Sequence, residues 1–374
     1  MHFKYLLKMN LRETISKVIK ESLGVPDNIY EISVEVYDEI LNQLDKQTRN
    51  IKYDDGEVKL YFLIEKGLRI SDFLLPRIII EFKIHVDKDY NEFELISMNV
   101  QSETERPTED NPTKMKKTEV EDLIMSSTFV GPEIFVPEEF KKFFISNKSE
   151  FISSVSHELK HSYDHTKGEY ESVEYRAGYN AIAGKKFNIK CVDLFFHDLY
   201  FVMASENLVR PTEIASAIKE NKISQKDFLK FLNNNTTYVN LKRISQFTLE
   251  GFKDCLRKEM KSVDKFFYHV GGGEGLSEEE KVDKIIELVY INLVNWKIEA
   301  FKEILTSAFI EEILGFRGQK KKTLDNFVRK TIRFEKNPED FFRYEEKNFR
   351  YVANQMIKKI SKLYAITKPK SVES

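Results

Sequence analysis

Two histidines and a glutamate near the middle of the chain have the residue types and the spacing of a metal-dependent hydrolytic site. Residues 157–161 read H-E-L-K-H, an H-E-x-x-H pentapeptide. Residues four apart share one face of an α-helix, so the imidazoles of His157 and His161 can bind a single zinc ion. Glu158 then stands beside the metal, where it can accept and deliver protons. The expected chemistry is hydrolysis by a zinc-activated water.

The pentapeptide lies in a stretch with helical periodicity, which predicts a helix from about residue 149 to about residue 166. The apolar residues at helical spacing in this stretch are Phe151, Ile152, Val155, Leu159 and Tyr163. At about 100° per residue, the two histidines and Glu158 fall on a neighbouring sector of the helix. We therefore expect one face of the helix in the core and another face to carry the site.

A catalytic zinc site needs a third protein ligand, because three ligands and one open position for water are the usual arrangement. His165 lies one turn beyond His161, but on a straight helix it is about 12 Å along the axis from His157, too far for all three to bind one ion. The longer pattern H-E-x-x-H-x-x-G-x-x-H, in which a glycine bends the chain, is absent. A carboxylate from further along the chain is therefore expected, with His165 as a minor alternative.

Three downstream glutamates are candidates for this third ligand, in the order Glu213, Glu206 and Glu174. Glu213 is preferred because the proline and threonine before it are expected to open a helix, and small residues follow it. Small residues would allow close approach to the histidine helix. Glu206 lies near the end of the preceding apolar stretch, and Glu174 follows the second histidine closely.

The segment H-E-L-x-H-x-x-D resembles the gluzincin class of zinc metallopeptidases, and in particular phage-type members of that class. The resemblance covers residues 155–165 well, 200–216 loosely and the rest of the chain not at all. It implies that His157 and His161 bind Zn²⁺, that a glutamate on a separate helix completes the site, and that Glu158 is the general base.

One position departs from the family pattern, which usually has an uncharged residue before the second histidine. Lys160 occupies that position, and the helical angles let it point to solvent. Asp164 is expected either to orient a ligand imidazole or to be exposed. Residues available to stabilise an oxyanion are Tyr170, Tyr175, Tyr179, Tyr200 and Arg210.

The elements that must position the histidine helix are read from the spacing of apolar residues. Two helices are expected before about residue 45, separated at Gly24 and Pro26. Alternating apolar residues then predict three strands of a small antiparallel sheet between about residues 50 and 102. The third strand shifts phase between Leu95 and Ile96, as a bulge would. A short edge strand bracketed by prolines is expected at 131–137, where an extended peptide could pair with it.

These elements predict an α+β fold with a small antiparallel sheet in the N-terminal part, a zincin-like active-site helix and a predominantly helical C-terminal half. A polar, proline-containing segment at 101–117 marks a boundary. The expected organisation is an N-terminal α+β domain (1–102), a zincin-like catalytic core (118–220), a helical C-terminal domain (221–368) and a disordered tail (369–374).

The net charge and hydropathy of the chain indicate which kinds of partner are expected. The formal net charge is −2, from 59 basic and 61 acidic side chains, so the chain has no general attraction to nucleic acid or to an anionic membrane. No apolar run approaches the length of a membrane span, and the N-terminus lacks the apolar core of a secretory signal. We therefore expect neither secretion nor membrane insertion, and a protein or peptide as the substrate.

The two cysteines, Cys191 and Cys255, belong to no C-x-x-C pair. The spacing suggests neither a disulfide framework nor a thiolate zinc site, and we expect buried unpaired thiols. Unpaired thiols fit a reducing compartment, and hence a cytoplasmic location.

Two classes of function follow from the motif. The preferred class is a zinc metalloendopeptidase with Glu158 as general base. The alternative is a structural or assembly protein, such as a virion component, that keeps the metal-binding helix without turnover. The long helical region after the motif favours some interaction role, through which assembly partners would bind. Replacement of Glu158 by glutamine distinguishes the two classes.

Overall fold

The computed structural model describes residues 20, 23–48, 52–54, 56–71, 73–103, 122–166, 187–306 and 337–367. The chain forms two compact units. The first comprises Met1–Tyr170, Leu208–Asn233 and Lys359–Ser374, and the second comprises Glu171–Asn207 and Asn234–Lys358. The division at residue 207 falls inside one continuous helix, which we describe with the first unit because that unit holds it from Leu208 onward.

The helices and strands follow one another in an α+β order. The N-terminal elements are α1 (Ile29–Gln47), β1 (Lys52–Asp54), β2 (Glu57–Ile64), β3 (Leu68–Ile70), β4 (Phe73–Leu75), β5 (Ile78–Val86), β6 (Glu94–Glu103) and β7 (Asp122–Gly131). The helices that follow are α2 (Pro137–Ser146), α3 (Lys148–Thr166), α4 (Lys190–Phe201), α5 (Ala204–Glu220), α6 (Phe228–Asn234), α7 (Thr236–Ser245), α8 (Leu249–Lys258), α9 (Met260–Val270), α10 (Glu278–Thr306) and α11 (Pro338–Ser361). The predicted fold class, with a sheet near the N-terminus and a helical C-terminal half, is confirmed.

Helix α1 begins after Gly24 and Pro26, where the sequence predicts a new helix. Gly24 has a φ of +68°, a left-handed conformation that glycine adopts without steric cost. The buried side chains of α1 recur at helical spacing and include Ile29, Ile32, Val36, Ile40 and Leu44. This stripe packs against β2 and α3, so α1 supports the histidine helix from one side. The helix predicted before Gly24 lies outside the described residues.

Five strands form the main sheet in the order β1-β2-β5-β7-β6, and β3 pairs with β4 in a separate two-stranded sheet. The predicted alternation is confirmed in β2, whose burial switches at almost every residue, and in β5. The predicted phase shift is confirmed as well, because the register between β6 and β7 slips between Leu95 and Ser97.

The sheet is mixed rather than wholly antiparallel, which corrects one part of the prediction. Strand β7 pairs with β5 in parallel and with β6 antiparallel. Because β5 and β6 run in opposite directions, a strand inserted between them must be parallel to one of the two. Strand β7 follows the segment predicted to be a domain boundary, yet it lies in the same sheet as the strands before that segment.

The core of the first unit lies between the sheet and helices α1, α2 and α3. Phe82 on the central strand β5 contacts rings from β2, β7, α2 and α3 at centroid distances of 4.8 to 6.2 Å. On α3, the buried residues Phe151, Ile152, Val155 and Leu159 face this core. The apolar face predicted for the histidine helix is therefore confirmed, and the helix spans Lys148–Thr166 against a predicted 149–166.

The edge strand predicted at 131–137 is wrong. The chain leaves β7 at Gly131 and forms a connection without strand pairing until Pro137, which begins α2. Proline suits the first turn of a helix, because its missing N–H would have no partner there. Gly131 is also close-packed: a Cβ atom at this position would lie 2.3 Å from the ring of Phe93.

Helix α5 begins earlier than the sequence predicts. We expected Pro211 to open a helix, but the helix starts at Ala204 and Pro211 lies inside it. This places Glu206 and Glu213 on one continuous helix. Seven residues correspond to nearly two full turns, so the two carboxylates project from the same face, about 10 Å apart along the axis.

The second unit is helical throughout its described residues. Its core contains a cluster of aromatic rings that includes Phe195, Phe252, Phe342 and Phe349. Arg243 on α7 donates two hydrogen bonds to the buried carboxylate of Asp198 on α4, at 2.6 and 2.7 Å. No described helix has the length and apolar content needed to cross a membrane.

The expectation of unpaired thiols is wrong, because Cys191 on α4 and Cys255 on α8 form a disulfide. The two residues are 64 positions apart, and their Cα atoms are brought to 6.0 Å. Spacing along the chain cannot reveal such a pair, since only the packing of α4 against α8 makes the two side chains neighbours.

Candidate metal centre

Helix α3 brings the two histidines of the pentapeptide together on one face. The Nε2 atoms of His157 and His161 lie 3.0 Å apart, and the two rings are inclined at 72°. Two nitrogen ligands of one tetrahedral zinc ion lie about 3.3 Å apart, because each Zn–N bond is about 2.0 to 2.1 Å. The imidazoles therefore converge in the manner that the sequence predicts.

The third donor that joins these imidazoles is Glu206, in the first turn of α5. Its carboxylate and the ring nitrogens of His157 and His161 all lie within 4.8 Å of one another. Glu206 is 1% exposed and His157 is 7% exposed, while His161 is partly buried. The group can hold a metal ion, with two nitrogen donors and one or two carboxylate oxygens.

Glu213, the carboxylate that the sequence favoured as third ligand, lies behind His157. Its Oε2 atom is 3.1 Å from Nδ1 of His157, on the opposite side of the ring from the nitrogen that faces His161. It also accepts a hydrogen bond of 2.9 Å from Nη1 of Arg210, one turn earlier on α5. We assign the proton of His157 to Nδ1, since a carboxylate accepts there, and this leaves the lone pair of Nε2 for a metal.

The spacing of the two glutamates explains why helical periodicity could not rank them. Both glutamates lie on the same face of α5, so periodicity alone cannot tell which carboxylate lies beside the ring nitrogens of both histidines. That outcome depends on how far α5 is shifted along α3, which is a tertiary property. One local signal was available: Arg210 lies three residues before Glu213, a spacing at which arginine pairs with the carboxylate and occupies part of it.

Glu158 follows His157 directly and is 9% exposed. The helix that carries it is joined to α1 by a buried hydrogen bond between two serines. The Oγ of Ser156 donates to the Oγ of Ser33 on α1 at 2.8 Å, and Ser33 donates to the carbonyl of Ile29 at 2.7 Å. The sequence analysis did not single out these serines, because a serine on an apolar helix face carries no sign of its partner. Together with the core packing they limit how far the histidine helix can rotate or slide.

The lysine that departs from the family pattern is buried, and the expectation that Lys160 points to solvent is wrong. Lys160 is 2% exposed and its Nζ is paired with the carboxylate of Asp164, which is 1% exposed. Asp164 is therefore not exposed, which removes one of its two expected roles. The ammonium group also lies 5.6 Å from the ring centroid of Tyr163. The charge is thus accommodated inside the protein next to the metal-binding face.

Other residues considered for the site have mixed outcomes. Glu174 and the tyrosines at 170, 175 and 179 lie outside the described residues, as does the side chain of His165. Tyr200 on α4 is partly buried. Arg210, considered as an oxyanion partner, instead donates to Glu213. Among the described residues, the metal-ligating donors brought together at this face are therefore His157, His161 and Glu206.

The electrostatics of the centre suit a divalent cation. Glu206 places a carboxylate in an almost fully buried position beside two imidazoles, and this set of donors can bind a divalent cation. Arg210 pairs with the neighbouring carboxylate of Glu213. Comparison of the chain with protein-family models, with curated proteins and with solved structures finds no match.

Proposed function

We propose that this protein is a zinc-dependent metallopeptidase, in which His157, His161 and Glu206 bind Zn²⁺ and Glu158 is the general base. The observation that carries the proposal is the convergence of two imidazole Nε2 atoms and one carboxylate on a common point. Glu158 directly follows His157 in the chain. The pentapeptide alone supplies two ligands and a base, and α5 supplies the third ligand.

Zinc is the metal that this donor set favours. Two imidazoles and one carboxylate are a usual ligand set for catalytic zinc, which keeps a fourth position for water. Bound zinc lowers the pKa of that water to about 7 and polarises a substrate carbonyl. An octahedral all-oxygen ion such as Mg²⁺ would be a poorer match for two imidazoles.

In this proposal Glu158 carries out the proton transfers. Its side chain branches from the residue next to His157, about 100° around the helix from that ligand. In the proposed reaction it accepts a proton from the nucleophilic water and delivers it to the leaving amine of the peptide bond. Its low exposure, 9%, keeps the carboxylate out of bulk water and so strengthens its electrostatic effect on the site.

Glu213 and Arg210 support the centre without binding the metal. A carboxylate on Nδ1 of a zinc-bound histidine holds the ring in place and makes Nε2 a better donor. Arg210 in turn holds the Glu213 carboxylate at 2.9 Å. The series from arginine to glutamate to histidine therefore presets the orientation of one ligand before metal binds.

The test combines metal content with hydrolysis. Purified protein loaded with zinc is incubated with a mixed peptide library, and the products are identified by mass spectrometry. Glu158→Gln should reduce the cleavage rate by about 10²- to 10⁴-fold, the typical contribution of a general base, with the zinc content unchanged. Glu138→Gln, at an exposed glutamate of α2, is the matched control and should cleave at the normal rate. Equal rates for Glu158→Gln and the unmodified protein would exclude this mechanism.

A second function is favoured by the burial of the donors. Glu206 at 1% and His157 at 7% exposure are as enclosed as ligands of a structural metal, which fits the alternative of an assembly protein that keeps zinc without turnover. In that case zinc removal by a chelator would lower the thermal unfolding temperature, and no peptide would be cleaved at any zinc loading. Cleavage that disappears with the metal and in Glu158→Gln would favour the peptidase instead.

A further inference from the structure

A second group of metal-ligating side chains lies in the helical unit, outside the centre described above. It consists of Cys191 in the first turn of α4, Cys255 in the last turn of α8, and Glu259 directly after α8. One ligand atom from each of the three lies within 4.8 Å of the other two. In the structure the two sulfur atoms are joined as a disulfide.

Glu259 is held beside the sulfur atoms by the backbone of both helices. Its N–H donates to the carbonyl of Cys255 at 3.1 Å, which continues the helical turn, so the two side chains lie on one face. Its Oε2 atom accepts a hydrogen bond of 3.2 Å from the backbone N–H of Cys191. The carboxylate is therefore positioned at the N-terminus of α4 whether or not the sulfur atoms are bonded to each other.

We propose that reduction of this disulfide by a dithiol converts the group into a metal site for a thiophilic divalent cation of the zinc class, with Cys191, Cys255 and Glu259 as ligands. Two thiolates and one carboxylate are three protein ligands, and a water completes a tetrahedron. This inference does not depend on the proposed peptidase function, because it concerns other residues in the other unit.

The backbone separation suits both states. The Cα atoms are 6.0 Å apart, within the usual range for a disulfide. Around one zinc ion with Zn–S bonds of about 2.3 Å, two sulfur atoms are about 3.8 Å apart. The sulfur atoms must therefore separate by about 1.7 Å relative to a bonded pair, which rotation of the cysteine side chains can supply without moving the helices.

The different exposure of the two cysteines favours attack by the reductant thiolate on one particular sulfur atom during thiol–disulfide exchange. Cys191 is 3% exposed and Cys255 is partly buried, so a reductant thiolate reaches the sulfur of Cys255 more readily. It forms a mixed disulfide there as the bond between the cysteines breaks, and the electron pair leaves on Cys191. Cys191 lies at a helix N-terminus, where the helix dipole favours a thiolate and opposes its repulsion by the nearby Glu259 carboxylate. The second thiol of the dithiol then releases Cys255 and closes the reductant's own disulfide.

Metal binding follows from the protons and charges of the reduced state. The two cysteines reach the cation as thiolates, so one cation displaces any thiol protons that remain. Two thiolates and the Glu259 carboxylate carry three negative charges, and a divalent cation reduces the total to one. In the oxidised state the sulfur atoms carry no charge, and Glu259 alone is a poor site. The redox state of the pair thus decides whether this part of the second unit holds a covalent bond or a metal.

The experiment uses the full chain and Cd²⁺ as the probe. Protein reduced with a phosphine and desalted without oxygen is titrated with Cd²⁺, and the ultraviolet charge-transfer absorption of cadmium thiolate is recorded. We expect the absorption to saturate at one thiolate-bound Cd²⁺ per chain in the reduced protein, and we expect none in the oxidised protein. The imidazoles of the α3 centre give no such band. A reduced chain without thiolate absorption, or a disulfide that a dithiol cannot reduce in the folded protein, would overturn the proposal.

Single substitutions test the contribution of each of the three ligands to Cd²⁺ binding. Cys191→Ser and Cys255→Ser should each lose the two-thiolate absorption. Glu259→Gln keeps both thiols and should bind Cd²⁺ about tenfold more weakly or worse, since loss of even an outer partner costs about 10- to 100-fold. Glu250→Gln, at an exposed glutamate of α8, is the matched control and should bind as the unmodified chain does.

Two further results complete the comparison. His161→Ala should retain the full thiolate absorption, which assigns that signal to the second unit. Unchanged affinity in Glu259→Gln would overturn the three-ligand site. If either serine variant fails to fold, the comparison of reduced with oxidised protein and the Glu259→Gln titration still decide the question.

Discussion

The two groups of candidate metal ligands described above share one geometric arrangement but have different donor atoms. In each, two donors lie one turn apart at the same helix face, His157 with His161 and Cys255 with Glu259. In each, a third donor comes from another helix, and it lies in the first turn of that helix. A local pair thus sets two donors, and the packing of a second helix supplies the third.

The difference between the groups lies in the donors. The group on α3 has nitrogen and oxygen donors that neither oxidise nor bond to each other, so its state depends on metal alone. The group in the second unit has two sulfur donors that can form a covalent bond, so its state depends on redox conditions as well. The same helix geometry therefore positions two groups of candidate metal ligands, and in one of them the sulfur donors are joined as a disulfide.

The largest expected effect on zinc affinity distinguishes the two glutamates of α5, Glu206 and Glu213. Glu206→Gln should weaken zinc binding by more than about 100-fold, because it removes a charged ligand, whereas Glu213→Gln should weaken it by about 10- to 100-fold. Glu220→Gln, at the last residue of the same helix, is the control. Zinc affinities are measured by competition with a chromophoric chelator. A larger loss in Glu213→Gln than in Glu206→Gln would assign the ligand role to Glu213, in line with the sequence-based preference.

An effect on folding stability, rather than on metal binding, is expected from the Lys160–Asp164 ion pair beside the α3 centre. Lys160→Met removes the ammonium that pairs with the Asp164 carboxylate, which is 1% exposed, so the free energy of unfolding should fall by about 3 to 5 kcal/mol. The double variant Lys160→Met/Asp164→Leu should recover most of that loss, because both charges of the pair are then removed. Denaturant unfolding measures all three proteins.

The control for this prediction lies on the same helix. Lys148 pairs with Glu220 at 3.4 Å, but its side chain is 38% exposed. Lys148→Met should therefore change the free energy of unfolding by less than about 1 kcal/mol. Equal losses for Lys148→Met and Lys160→Met would show that burial of the Lys160 pair has no special energetic role near the metal-binding face.

The smallest effect concerns a helix cap in the second unit. The carboxylate of Glu280 accepts hydrogen bonds from the backbone N–H and the hydroxyl of Ser277, at 2.8 and 2.7 Å, and these bonds lower the pKa of Glu280. A folded-state pKa below the unfolded value stabilises the helix start above the unfolded pKa, and the stabilisation is lost as the pH falls through the folded pKa. Glu280→Gln should therefore lower amide-exchange protection in the first turn of α10 at neutral pH. At acidic pH the two proteins should converge, and a pH-independent difference would contradict this account.

Local patterns in the sequence predicted the elements with a strong period. The alternating residues of β2 and β5, the phase shift near Leu95 and the helix at 148–166 were all predicted, because each depends on neighbours within a few positions. The capping box of Ser277 and Glu280 is likewise a local feature, since its two residues are three positions apart. The parallel pairing of β7 with β5 was not predicted, because strand direction depends on where the chain returns to the sheet.

The same distinction between local pattern and tertiary packing applies to the residues of the candidate centre. His157, Glu158 and His161 were predicted from a five-residue pattern, and the structure brings the two imidazoles together. The structure groups Glu206 with both imidazoles and places Glu213 at Nδ1 of His157, whereas the sequence preferred Glu213 as the ligand. Both glutamates lie on one face of α5, so only the shift of that helix along α3 selects between them. The burial of Lys160 was missed because, although its partner Asp164 lies one turn further along the same helix, the surroundings that bury both side chains come from packing.

The sequence by itself determined which donors lie one helical turn apart, since the geometry of a helix is the same in every protein. The tertiary structure alone decided which third donor meets each pair. That choice depends on the relative position of two helices, which is set by many weak apolar contacts spread over the chain and not by any single residue. The disulfide between residues 64 positions apart and the glutamate selected at α3 are both results of that packing.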